Sequence, residues 1–297
     1  MSILSQILPK SLIYKIKTYQ IEQQKKEIAK LPLLDELSFE KILVNDIGLE
    51  KGDTVFIHSS IDKLNLAFPF YNILSILRSV LGEEGTFLFP TYPKLTSYKF
   101  LVSGEIFNVK KTASYTGILN EFARRQKDAI RSLHPTKSVT AIGKNAKELT
   151  ATHQNSPYPY DICSPYYLIN NFNAKIIGLG INTSHLSFVH TIDDYLKEDF
   201  PVFPYHNQLF EAKVKDYSGN IIDVPTYAHD MKKMGFDLPK FVEDNFDKSI
   251  AKNINIDGMK FARCYSKPLF DKMVDMALSG KTIYPKKHYK SDWKPKV

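Results

Sequence analysis

The stretch 52-GDTVFIHSS-60 decides the fold class. Residues 54–58 form an apolar, β-rich run that opens onto two serines, as a buried strand does where it ends in a turn. Working downstream, residues 70–81 carry apolar side chains at helical spacing and stop before Gly82. Gly85 then precedes a second apolar run, 86–89, closed by Pro90, and 175-KIIGLGI-181 is a third buried-strand candidate. A helix is predicted at about 116–126 between them. Strands alternating with helices give a layered α/β domain. Upstream, residues 31–50 read as a short helix ending near Gly48. Beyond Phe200 the pattern changes to a hairpin, in which 210–216 alternates, Ser218-Gly219-Asn220 turns, and 221–224 returns. Helices near 239–253 and 268–278 and a Lys-rich tail complete the chain. No internal repeat and no low-complexity linker interrupts it, so the organisation expected is an N-terminal helical extension, 1–37, followed by one domain, 38–297.

Composition narrows the function classes. Of 297 residues, 43% are hydrophobic and 24% charged, which suits a folded domain rather than a disordered chain. The two cysteines, Cys163 and Cys264, form no metal-ligand spacing and suit a reducing, cytoplasmic setting. No metal site is expected. No run reaches the roughly 18 apolar residues of a membrane span. The excess of 40 Lys and Arg over 32 Asp and Glu, a net charge of +8, favours anionic partners. Nucleic acid is not expected, because no basic–aromatic recognition motif is present. Ile3, Leu4, Ile7, Leu8, Leu12, Ile13 and Ile16 recur at helical spacing among Lys10, Lys15 and Lys17. Such a basic amphipathic helix suits either a peripheral membrane contact or packing on its own domain or on a second subunit.

Four segments carry candidate chemistry. Ser59 and Ser60, with His58 before them, stand at the carboxyl end of the first strand, where α/β sheets bind ligands; an ordinary cap is the competing reading. In 131-RSLHPTKSVTAIG-143, Pro135 biases His134 towards extended backbone, and Arg131, Thr136 and Ser138 could converge on an anion. In 114-SYTGILNEFARR-125, Ser114 or Thr116 could start a helix facing a ligand or simply cap it. In 178-GLGINTSHLSFVHTIDDY-195, a helix opening at His190 would place Asp193 or Asp194 beside the imidazole, fixing its tautomer as a general base requires.

In this order and spacing the segments resemble the aminoglycoside 3-N-acetyltransferase family, together with 85-GTFLFPTYP-93 and 164-SPYYL-168. The resemblance covers about residues 38–198 well and the remainder loosely. It implies a layered αβα domain around a central mixed β-sheet that binds acetyl-CoA in a cleft shared with an amine acceptor. His58, Ser59, Ser60, Ser114, Thr116, Arg131, His134, Pro135 and Ser138 would belong to the CoA side, and Tyr92 and Asp194 to the acceptor. His190 would take the proton from the attacking amine. Asp193 stands where the family usually has Glu, one methylene shorter, so Asp194 or Asp230 could serve instead. Transfer is expected to be direct, because neither cysteine lies in a motif that would carry an acyl group.

The chain departs from the resistance enzymes in three ways. It has 68-FPF-70 where they usually carry a Gly-Gly pair, it has the N-terminal extension, and its basic charge suits a polycation poorly. The acceptor expected is therefore an amino sugar on a nucleotide or lipid diphosphate of surface-polysaccharide synthesis. The alternatives are an aminoglycoside, a non-catalytic CoA-binding protein, and a serine hydrolase, the last disfavoured by the lack of a G-x-S-x-G elbow.

Overall fold

A computed structural model describes residues 10–234 and 236–296. The core is a seven-stranded sheet in the order β4-β5-β2-β1-β6-β10-β9, built from β1 (Thr54–Ser59), β2 (Thr86–Pro90), β4 (Ile130–Arg131), β5 (Val139–Gly143), β6 (Lys175–Leu179), β9 (Ala251–Ile256) and β10 (Met259–Tyr265). The central strand β1 runs parallel to both β2 and β6, and the remaining neighbours are antiparallel. The sheet is thus mixed, with its three parallel strands in the middle. Because side chains alternate along a strand, Phe56, Leu88 and Ile176 bury into one layer, with Tyr166, Phe188 and Met273. Val55, Ile57, Phe87, Phe89 and Ile177 bury into the other, with Phe39 and Leu77. Two apolar faces explain why these strands read as continuous hydrophobic runs.

The described helices are α1 (Lys10–Ile28), α2 (Glu36–Lys41), α3 (Asn72–Leu81), α4 (Ser97–Ser103), α5 (Ile118–Arg124), α6 (Ala146–Thr150), α7 (Pro165–Leu168), α8 (His190–Leu196), α9 (Leu238–Asn245) and α10 (Ser266–Leu278). A short strand, β3 (Phe107–Asn108), joins the long hairpin of β7 (Tyr205–Lys215) and β8 (Ile221–His229) in a second, three-stranded sheet. The helix after α2 widens into a π-helical turn, Ile42–Ile47, and ends on Gly48 in the left-handed conformation at φ 82°.

Two elements differ from expectation. The helix expected over 239–253 stops at Asn245, and 251–265 forms the hairpin of β9 and β10. Polar residues on β9, an edge strand, mask its alternation. Asp257 and Gly258, at φ 49° and 86°, make the tight turn that an Asp-Gly pair favours. Residues 139–143, read only as part of a polar turn, are β5 and pair with β2.

The first apolar positions of the extension, Ile3 to Leu8, lie outside the described residues. Along α1, Leu12, Ile16 and Tyr19 are exposed on one side and Tyr14 and Ile21 on the opposite side. That distribution lacks the single apolar stripe an interfacial helix needs, and membrane contact gains no support. No described helix is long and apolar enough to cross a membrane. The chain leaving α1 is tied down: Asn65 donates to the Leu31 carbonyl at 2.6 Å, and Leu34 forms a short parallel bridge with Leu66, its N–H donating to the Asn65 carbonyl and its carbonyl accepting from the Ala67 N–H.

Candidate active site

A cleft of about 920 Å³ opens at the carboxyl ends of the three parallel strands. Its walls include Ser59 and Ser60 after β1, Pro90 and Tyr92 after β2, and Ile181 after β6. Gly180 permits this convergence. It sits at φ 70°, and a Cβ there would fall 2.2 Å from the Ser60 carbonyl oxygen. Ser59 Oγ donates to Asn120 Oδ1 at 2.9 Å, and Asn120 Nδ2 donates to the Pro90 carbonyl. Ser60 Oγ donates to Asp62 at 3.0 Å, while its backbone N–H is already taken by Leu179. No histidine activates either serine, which removes the support for a hydrolase nucleophile. Thr116 also lines the cleft, its hydroxyl donating to the Pro90 carbonyl. Ser114 does not. It sits behind Thr116, with its N–H on Glu121.

On the opposite wall, α8 begins at His190, so Asp193 falls one turn further on the same face. His190 Nδ1 lies 3.0 Å from Asp193 Oδ2, and Tyr284 donates its hydroxyl to the same oxygen. Asp193 is buried, which pushes its pKa up, while its bonds to His190 and Tyr284 oppose the shift. A proton on Nδ1 facing the carboxylate leaves Nε2 with its lone pair.

Asp194 points the other way. It is fully buried, accepts from Tyr205 at 2.6 Å and from the Tyr160 amide at 2.8 Å, and burial holds its carboxyl well above the usual range. Asp230 accepts from the Lys232 amide at 3.0 Å and is not part of the cleft wall. Neither is positioned to partner His190, and Asp194 cannot reach a substrate.

The Arg131–Ser138 segment requires the larger correction. Arg131 is 2% exposed, lies 4.6 Å from the Phe107 ring, and spends its donors on the carbonyls of Thr91, Val109 and Thr112 and on Ser138 Oγ. Ser138 in turn donates to Thr91. His134 Nδ1 accepts from the Thr136 and Lys137 amides, and its Nε2 meets Thr226. Burial, with neighbouring His153 and Lys137, keeps the ring neutral by pulling its pKa well below 6.5. Arg131, His134, Pro135 and Ser138 therefore build the floor beneath the cleft rather than touch a ligand. Only Lys137 reaches the lining, with Nζ 4.7 Å from the Tyr92 ring and 6.0 Å from the Tyr160 ring. Desolvation pulls its pKa down to about 8.

Tyr92 is in the lining, hydrogen-bonded to Tyr166 at 2.6 Å and to Ser187 at 3.2 Å. His58 lines it too, buried, with Nε2 lacking a partner and burial lowering its pKa to about 3. Sequence reasoning missed Lys137, Asn120, Tyr284 and His229. The His229 ring sits 4.8 Å from that of His190 with a buried, unpartnered Nε2. Met231, Met234 and Phe236 extend that wall with apolar surface. The aromatic segment 68-FPF-70 packs on Phe39 and Phe122, away from the cleft.

Comparison with known proteins gives this geometry its context. A family model described as aminoglycoside 3-N-acetyltransferase matches residues 56–277. Aminoglycoside N(3)-acetyltransferase VII of Streptomyces paromomycinus is 28% identical over 160 residues, 48% of this chain and 55% of that protein, so the match spans about half of that relative's length. Aminoglycoside N(3)-acetyltransferase III of a Salmonella species is 22% identical over 269 residues, 83% of this chain and 90% of that protein. Among solved structures, the aminoglycoside acetyltransferase AAC(3)-Xa superposes with a TM-score of 0.70 at 18% identity, covering 94% of this chain and all of that one. AAC-IIIb in binary complex with CoASH gives 0.67 at 19% identity, covering 82% and 96%. At such identities the superpositions establish the fold, and the family match extends through both walls of the cleft: the chain belongs to the aminoglycoside 3-N-acetyltransferase family of acyltransferases.

Proposed function

We propose that this cleft transfers the acetyl group of acetyl-CoA to a primary amine of an amino sugar. The observation that carries the reading is His190, whose Nδ1 is held by Asp193 and Tyr284 while its ring lines the cleft. An alkylammonium has no lone pair, so nucleophilic attack needs the neutral amine and a base for its proton. The amine nitrogen bonds to the thioester carbonyl carbon, and the C–S bond breaks. His190 takes the amine proton and returns it to the departing thiolate, so the enzyme ends unchanged. The Ser59 and Ser60 hydroxyls are already committed to Asn120 and Asp62, so the Lys137 ammonium is the cleft-lining donor available to the carbonyl oxygen as it gains charge. Direct transfer is supported by the cysteines: Cys264 is buried, its thiol pushed up to about 12, and neither cysteine lines the cleft.

For the acceptor, the relatives' names favour an aminoglycoside over the nucleotide- or lipid-carried sugar of polysaccharide synthesis expected from sequence, which no comparison supports. One observation keeps an anionic acceptor as a second reading. Among the described residues the cleft lining offers a single carboxylate, Asp62, against the ammonium groups of Lys63 and Lys137. Steady-state acetylation of a panel of aminoglycosides and nucleotide-linked amino sugars tests both. Turnover of the drugs alone selects the first and turnover of the linked sugars alone selects the second. No CoA release with any amine would overturn the catalytic reading.

A further inference from the structure

A second cavity, of about 320 Å³, adjoins the cleft and shares Lys63, Ile181 and Ser184 with it. It runs from the turn after β6 to the β9–β10 hairpin, where Lys260 lines it. Gln24 and Ile28, from the last turns of α1, form its outer wall. Among the described residues no carboxylate lines this annex. Its polar lining residues are Lys63 and Lys260, which carry ammonium groups, with Gln24, Asn182 and Ser184, whose hydroxyl lies 3.0 Å from His185 Nδ1. Asn182 spends its carbonyl oxygen on the Ser184 amide, which leaves its NH2 group as a donor. Lys63 lines both cavities, and its charge adds to the larger effect of burial in lowering the pKa of His185, a cleft-lining ring.

The annex is held in shape. The chain leaving α1 is pinned to the 65–67 loop through Leu31 and Leu34. Gly258 closes against Leu31, where a Cβ would meet the leucine side chain at 2.7 Å. Two cations with neutral amide and hydroxyl side chains on a fixed wall, and no acid lining it among the described residues, match the oxygens of a phosphate chain.

We infer that this annex is an anion subsite for the diphosphate of a substrate's nucleotide end, and that the N-terminal extension exists in part to wall it. The inference uses the proposed acetyl-CoA chemistry only to identify one source of that diphosphate. The other source is a nucleotide-carried acceptor.

Binding measured without turnover keeps the two readings separable. Calorimetry on the full chain compares CoA, pantetheine and UDP, for the parent and for the Lys63→Gln/Lys260→Gln double variant. Removal of two charge-assisted contacts, one half-buried at Lys63 and one exposed at Lys260, is expected to weaken the diphosphate ligand about tenfold. Pantetheine, which has no diphosphate, is the control. Weakening of CoA but not UDP assigns the annex to the donor, and weakening of UDP but not CoA assigns it to the acceptor. Equal weakening of pantetheine, or no change for CoA and UDP, overturns the inference. A Lys63→Glu/Lys260→Glu variant must exaggerate the effect, and added salt must shrink the difference from the parent. Intact CoA binding with no acetyl transfer would instead sink the catalytic reading and leave the annex standing.

Discussion

At the scale of single residues, the cleft separates groups that act on a ligand from groups that shape the wall. His190→Ala is expected to lower kcat by about 10²- to 10⁴-fold, the usual contribution of a general base, while CoA still binds. Tyr284→Phe keeps the ring and loses one hydroxyl bond to Asp193. A fall in kcat of roughly tenfold with KM for acetyl-CoA unchanged is expected, together with a lowered thermal midpoint because a buried hydrogen bond to a charged group is lost, and stopped-flow turnover with parallel calorimetry reads both. Arg131→Met behaves in the opposite way. It strands the carbonyls of Val109 and Thr112 and is expected to cost about 3 kcal/mol of stability, read from the urea midpoint; a stable variant with weakened CoA binding would refute the floor role. His190 and Asp193 were legible because a helix start puts residues three apart on one face. Arg131 misled because its chemistry suits an anion, whereas its surroundings, three main-chain carbonyls gathered from other segments, have no trace in local sequence. Tyr284 reaches Asp193 across 91 positions, and no spacing rule announces that.

At the scale of elements, the three parallel strands were readable because both faces of each are buried, which leaves unbroken apolar runs. The β9–β10 hairpin was hidden by polar side chains on an edge strand, although 257-DG-258 held the turn signal. The close approach of the turns after β1 and β6 depends on Gly180. Gly180→Ala puts a methyl group where the Ser60 carbonyl stands, in a backbone region that side chains disfavour. The expected result is a cleft pushed open, with kcat/KM reduced and the thermal midpoint lowered together. A variant with parental kinetics would show that the two turns can part without consequence.

At the scale of the whole molecule, the interior carries a pH liability. Burial lowers the pKa of His58 and His153 to about 3, and holds His134 and His229 well below 6.5. The unfolded chain takes up these protons near pH 6.5 and the folded chain refuses them, so stability is intact above that pH and declines as pH falls towards about 3. Each such histidine costs about 1.4 kcal/mol per pH unit in that window. His58 and His153 alone are expected to remove about 4 kcal/mol by pH 5, and a urea midpoint that stays flat between pH 7 and pH 5 would contradict the neutral rings. The order of assembly follows from Tyr284. During synthesis the last strand of the seven-stranded sheet and α10 have emerged before residue 284 does. A ribosome-bound chain can therefore hold a finished sheet while the His190–Asp193 pair still lacks its phenolic clamp, and competence waits for a residue that leaves the ribosome after the sheet does.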